Sequence, residues 1–110
     1  MLDVPWLVRD GVVLASAEVA TTRAERRRGL LGREHIDGVL CIQGRSVHTI
    51  GMRTAIDVAY LDGDGVVLRV ETLARHRVSW PCWRARVAVE SAPGQMTAWG
   101  VRPGDRLEIR

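Results

Sequence analysis

Read for alternation of apolar and polar positions, the chain breaks into short runs of strand period. The densest pattern lies between His48 and Val70. Ile56 to Leu61 is apolar except for Asp57, and Val66 to Leu73 alternates Val66, Leu68 and Val70 against Arg69 and Glu71, so both runs predict strands. Asp62-Gly63-Asp64-Gly65 lies between them. Its glycines allow positive φ and its aspartates can bond their own backbone, which predicts an antiparallel hairpin at the centre of the fold. The same residues do not make a calcium loop. The next ligand position falls on Val66 and the bidentate carboxylate position on Leu73.

The flanks follow the same logic. Trp6 to Arg9 and Val12 to Val19 surround Asp10-Gly11, which predicts an N-terminal hairpin. Thr22 with Glu25 three residues later forms a capping box, so a helix is expected from there across Ala24 to Leu31. Gly29 inside that stretch implies either an early helix end or close approach to another element. Gly38 to Ile42 predicts a strand, Gln43 to Ser46 a turn, and His48 falls at or just inside the next strand start. Ala74 to Trp83 has no period and reads as a loop. Arg86 to Ser91 predicts a strand with Val87 and Val89 on one face and Arg86, Ala88 and Glu90 on the other. A short helix is expected between Ala92-Pro93-Gly94 and Gly100, then a turn at Arg102 to Asp105 and a final strand over Arg106 to Ile109. The fold class expected is α+β, mostly β: six to eight strands, mainly antiparallel, in a curled sheet or partly closed barrel with two short helices.

Composition adjusts this picture modestly. The 110 residues suit one domain, 1–110, with a single core. Phe is absent and Tyr60 is the only tyrosine, so the core is expected from Val, Leu, Ile and Ala, with Trp6, Trp80, Trp83 and Trp99 supplying bulk. Cys41 and Cys82 make neither a disulfide framework nor a zinc motif, and His35, His48 and His76 show no metal spacing, so no metal or cofactor is expected. No apolar segment reaches bilayer length, which gives the expectation of a soluble, cytoplasmic protein without membrane partners. All sixteen basic residues are arginine, for a net charge of +3. Arg23, Arg26, Arg27 and Arg28 spread around their helix, diluted by Glu25 and Glu34, so a solvated face is favoured over nucleic-acid binding.

Candidate chemistry concentrates near the central hairpin. Asp57 is a carboxylate among apolar neighbours and must find partners, whether structural or in a pocket. A tight turn over Arg53 to Ala55 would place Gly51 opposite Asp57 and the Arg53 guanidinium within reach of it. Arg33, at the end of the first helix, would pair with an acid of the hairpin, Asp57 included. The Ala74 to Trp83 loop carries Arg75, His76, Arg77, Trp80 and Trp83, a set able to bind anions or stack on bases. The favoured alternative is that its tryptophans turn inward and cap the open end of the sheet.

The runs H-T-I-G-M-R-T-A-I-D-V-A-Y-L-D-G-D-G from His48, E-R-R-R-G-L-L-G-R from Glu25 and G-V-R-P-G-D-R-L from Gly100 together resemble the domain of unknown function family 192. The resemblance implies a compact, mostly β domain of bacteria and archaea with no established activity. The family's recurring residues fall on Gly29, Leu30, Arg33, His48, Met52, Arg53, Ile56, Asp57, Asp62, Gly65, Gly104 and Asp105. This chain departs at Thr54 and Ala55, where the family often has an aromatic and a proline, and at Ile50 or Gly51, where it has an aromatic. If those aromatics wall a ligand site, the pocket here is more open.

The functional expectation is a non-enzymatic binding module for a small anionic ligand or peptide, its site formed by Arg33, His48, Arg53 and Asp57. A hydrolase-like enzyme is the first alternative, with His48 as general base, Asp57 orienting it and Arg53 stabilising negative charge. Nucleic-acid binding through the arginine-rich helix and the Arg-Trp loop is the second.

Overall fold

The computed structural model describes residues 5–33 and 35–110. Seven strands form one sheet: β1 (Trp6–Arg9), β2 (Val12–Ala20), β3 (Val39–Gln43), β4 (Ile56–Leu61), β5 (Val67–Leu73), β6 (Val87–Ser91) and β7 (Glu108–Ile109). Two short helices accompany them, α1 (Arg23–Arg28) and α2 (Gln95–Ala98). The order across the sheet is β5-β4-β6-β3-β2-β1-β7. Every neighbouring pair is antiparallel except β2 with β3, which run parallel because α1 carries the chain back across the sheet between them.

The local signals in the sequence explain most boundaries. Asp10 and Gly11 both take positive φ, as a two-residue turn that follows strand twist requires. Asp62 closes the central hairpin by accepting from the amides of Asp64 and Val66 through Oδ1. Thr22 and Glu25 exchange both bonds of the capping box, and α1 ends at Gly29. The early end is the alternative that holds, and Gly29 also lies against Ile42 and Glu90.

The sheet is buried on both faces, so β4 and β6 pass through the middle of the protein. On one face Leu30, Ile42, Val47, Met52, Ile56, Val58, Tyr60 and Ala88 pack together. The other face gathers Leu7, Val39, Cys41, Ala59, Leu61, Val89, Met96 and Leu107. Tyr60, Leu7, Ile56 and Met96 are the largest fully buried side chains, whereas none of the four tryptophans is buried. The aliphatic core is the one expected, but the tryptophans do not add their bulk to it: Trp6, Trp80 and Trp83 are exposed and Trp99 is half-buried.

The two edges of the sheet approach each other. A single bridge joins Val66 to Arg106, supported by bonds from the Val67 amide to the Asp105 carbonyl (2.8 Å) and from the Leu107 amide to the Gly65 carbonyl (2.9 Å). The sheet is curled but its ladder does not close into a barrel. Gly65 permits this approach, because a Cβ there would overlap the Leu107 carbonyl.

Candidate functional site

Asp57 lies on β4 and is 2% exposed. Its Oδ1 accepts from the Thr72 hydroxyl at 2.7 Å, and its Oδ2 accepts from the amides of Gly94 at 2.9 Å and Met96 at 3.2 Å. These amides belong to the N-terminal turn of α2, which has no side-chain cap of its own. Asp57 therefore caps α2 from a strand 37 residues earlier in the chain. The partners required of this carboxylate are structural ones, and all lie on the α2 side of the sheet.

The other residues expected beside it lie elsewhere. Arg33 forms a paired contact with Glu18 of β2, Nη1 to Oε1 at 3.0 Å and Nη2 to Oε2 at 2.8 Å. Its acidic partner is thus on β2 and not on the central hairpin. Gly51 faces Leu31, whose Cδ1 would stand 3.1 Å from an added Cβ, so it is not opposite Asp57. Arg53 is exposed in the bend after Met52. His48 sits in an isolated bridge with Val78, its Nδ1 accepting from the Ile50 amide at 3.3 Å, which leaves Nε2 as the protonated nitrogen when the ring is neutral. His48 borders the face of the sheet opposite α2, so the geometry does not build a His48–Asp57 dyad.

What the fold does build around His48 is a cleft between the end of α1 and the Ser46 to Met52 segment. Arg27, Arg28, Gly29, Leu31, His48 and Met52 line it, and Glu90 forms part of its lining from β6. The cavity is about 70 Å³, enough for one small polar group and well below the size of a site that encloses a whole metabolite. Alternation along β6 sends Val87 and Val89 toward α2 and Ala88 and Glu90 toward this cleft.

Glu90 is 4% exposed, and among the described residues none donates a hydrogen bond to its carboxyl. Burial pushes its pKa up to about 7, and the positive charge of Arg33 opposes that only in part. A carboxyl buried on a cleft wall, its oxygens open to the cleft and with no donor among the described residues, is the arrangement expected of a group directed at a ligand. Glu90 was not legible as a site residue in the sequence. Strand alternation placed it on an ordinary polar face, and only the packing of Gly29 and Leu30 over β6 covers that face. Its one sequence signal is Gly29, whose φ of +52° ends α1 against Ile42 and Glu90.

The arginine-tryptophan loop also differs from expectation. Trp80 is 84% exposed and Trp83 is 73% exposed, so neither caps the sheet. The loop is nevertheless well anchored. The Ser79 amide donates to the Val47 carbonyl, the Cys82 amide to the Arg45 carbonyl, both at 2.8 Å, and Arg69 Nη2 to the Trp80 carbonyl at 2.6 Å. The guanidinium of Arg69 lies 4.3 Å from the Tyr60 ring centroid, and the Tyr60 hydroxyl donates to Glu71 at 2.6 Å. Buried as it is, the Tyr60 phenol is pushed up to about 12. Cys41 and Cys82 are both free thiols, and the buried Cys41 is likewise raised to about 12.

Among the described residues no cluster of three or more His, Cys, Asp or Glu side chains is placed to hold a metal, and no helix is long and apolar enough to cross a membrane. Glu34 lies outside the described residues.

Two solved structures share the architecture. A protein of unknown function from Novosphingobium aromaticivorans superposes with a TM-score of 0.81 at 16% identity, covering 96% of this chain and 83% of that one. A provisionally named transcription regulator from Sinorhizobium meliloti superposes with a TM-score of 0.77 at 23% identity, covering 94% of this chain and 90% of that one. At such identities the likeness establishes the fold alone. No curated protein matches the sequence significantly. The sequence profile of the domain of unknown function family 192, described as "Uncharacterized ACR", matches residues 6–109, and the chain belongs to that family.

Proposed function

We propose that the protein is a non-enzymatic binding module whose cleft beneath α1 takes one anionic group of a small ligand or of a peptide end. The observation that carries this reading is Glu90: a carboxyl buried on the cleft wall, with no hydrogen-bond donor from the described residues, beneath a helix end that bears Arg27 and Arg28. In this reading Glu90 binds as the neutral acid and donates a hydrogen bond to the ligand's anion, while the arginines supply charge at the rim. The cleft admits the anionic group only, so the body of the ligand lies outside it.

Proton linkage tests this directly. Glu90 has a raised pKa of about 7, and an anion held beside it raises it further, so binding takes up a proton. Affinity should weaken about tenfold between pH 6 and pH 8. Titration calorimetry with succinate and with a short peptide ending in glutamate, at both pH values, makes the measurement. Glu90→Gln should retain binding and lose most of the pH dependence, and Arg28→Ala should weaken binding at both pH values. Failure of both probes to bind, or a pH dependence that survives Glu90→Gln, sinks the reading.

The hydrolase-like alternative has no geometric support from a His48–Asp57 pair, because Asp57 is fully engaged with Thr72, Gly94 and Met96.

A further inference from the structure

A second groove opens beyond Ser46, on the far side of the turn that follows β3. Gln43, Arg45, Ser46, Pro81, Trp83 and Arg86 line one half of it, with a volume of about 570 Å³. It continues past Trp83 and Arg86 toward Arg84, Asp62 and Asp64. Unlike the cleft beneath α1, it has the size of a small-molecule site.

Its walls are held by backbone bonds. The Gly44 amide donates to the Arg86 carbonyl at 2.9 Å, the Arg86 amide to the Leu61 carbonyl at 2.7 Å and the Ala85 amide to the Cys82 carbonyl at 2.9 Å. Arg45 and Trp83 therefore line the groove from anchored backbone, and the exposure of Trp83 is not that of an unanchored loop. Neither Arg45 nor Arg86 forms an ion pair among the described residues, and no carboxylate lines that half of the groove. A wide, largely uncovered indole thus shares the groove with two guanidiniums that no carboxylate engages.

We propose that this groove binds a nucleoside phosphate, with the base stacked on Trp83 and the phosphate held by Arg45 and Arg86. Each partner fits its chemistry. Guanidiniums match phosphate oxygens in paired hydrogen bonds, and an exposed indole offers a stacking face to any base. An acidic peptide would satisfy the arginines but would leave the indole without a flat partner. Asp62 and Asp64 close the groove with negative charge, which favours one nucleotide unit over a strand whose backbone runs on past Arg84. The site is independent of Glu90 and of the cleft beneath α1.

The same unit chemistry is offered by a free nucleotide and by one residue of a single strand, and three probes separate these sources. Tryptophan fluorescence is followed on addition of AMP, of a ten-residue oligo(dA), and of hexaglutamate. Saturable quenching by AMP is expected. Trp83→Leu and Arg86→Ala should each weaken it at least tenfold, while Trp83→Phe restores part of the affinity and Trp80→Leu leaves it within about twofold. Because Trp83 and Arg86 are exposed, these variants should keep the wild-type circular dichroism spectrum. Quenching by AMP alone assigns the site to a free nucleotide. Oligo(dA) binding that is lost in Trp83→Leu and falls steeply with salt assigns it to a strand. The proposal is overturned if neither AMP nor oligo(dA) binds, if binding survives Trp83→Leu, or if hexaglutamate binds more tightly than both.

Discussion

The carboxylate of Asp57 accepts a 2.9 Å hydrogen bond from the amide of Gly94, tying β4 to the first turn of α2. The Met96 amide and the Thr72 hydroxyl complete the set of donors to this buried carboxylate. The helix has only four residues and no cap of its own, so its position depends on this contact.

Removing that acceptor should therefore harm folding more than binding. Asp57→Ala leaves the buried Met96 amide and the part-buried Gly94 amide and Thr72 hydroxyl without this acceptor, and is expected to cost about 2–4 kcal/mol in urea unfolding. Asp57→Asn can turn its amide oxygen to Gly94 and Met96 and its nitrogen to Thr72, so about 1–2 kcal/mol is expected. Equal losses for the two variants would contradict the capping role.

Glu90 predicts an opposite kind of pH dependence from a paired carboxylate. Its folded pKa is raised, from 4.5 to about 7, so between these values the folded state holds a proton that the unfolded state has released. Stability is full below pH 4.5 and declines as pH rises toward 7, by up to about 3 kcal/mol. Glu90→Gln should flatten this profile, exceeding the wild type at pH 8 and approaching it at pH 4.5. Chemical unfolding at the two pH values measures the difference.

Two glycines should resist substitution for reasons of contact as well as conformation. A Cβ at Gly38 would overlap the Ser16 carbonyl, and one at Gly65 the Leu107 carbonyl, with φ of +66° and +83°. Gly38→Ala and Gly65→Ala are each expected to cost about 2–4 kcal/mol. Gly11→Ala has positive φ but open space, and should cost only about 1 kcal/mol. Thermal unfolding of the three variants ranks them.

The Arg33–Glu18 pair is the mildest case. The hydrogen bond from Arg33 holds the Glu18 carboxyl below its ordinary range, but both side chains reach solvent. Arg33→Ala should lower stability by less than about 1 kcal/mol at pH 7. The depressed pKa contributes above the ordinary carboxylate range and is lost as pH falls through the folded value, so the difference should disappear in acid. Carbon-detected NMR titration of Glu18 should show its pKa rising in the variant.

Much of the architecture could be read from local rules. Ile56–Leu61 is a strand with the bounds its apolar run predicted, the Asp10-Gly11 and Asp62 to Gly65 turns sit where their chemistry requires, and Thr22 and Glu25 form their capping box. These features depend on neighbours within a few residues, so chain order suffices to specify them. The family resemblance was equally legible, because its motifs are short and lie in order.

Contacts between distant segments were not. Nothing near Asp57 in the chain names Gly94 as its partner, nor does Arg33 point to Glu18 over any other acid. Glu90 read only as one member of an alternating strand face until Gly29 and Leu30 covered it, and Trp83 as a cap on the sheet until the loop anchors held it outward. Burial and charge pairing depend on which surfaces meet when the sheet curls. Local propensity sets each element, but tertiary packing decides which polar groups lose water and therefore which residues have chemistry to offer.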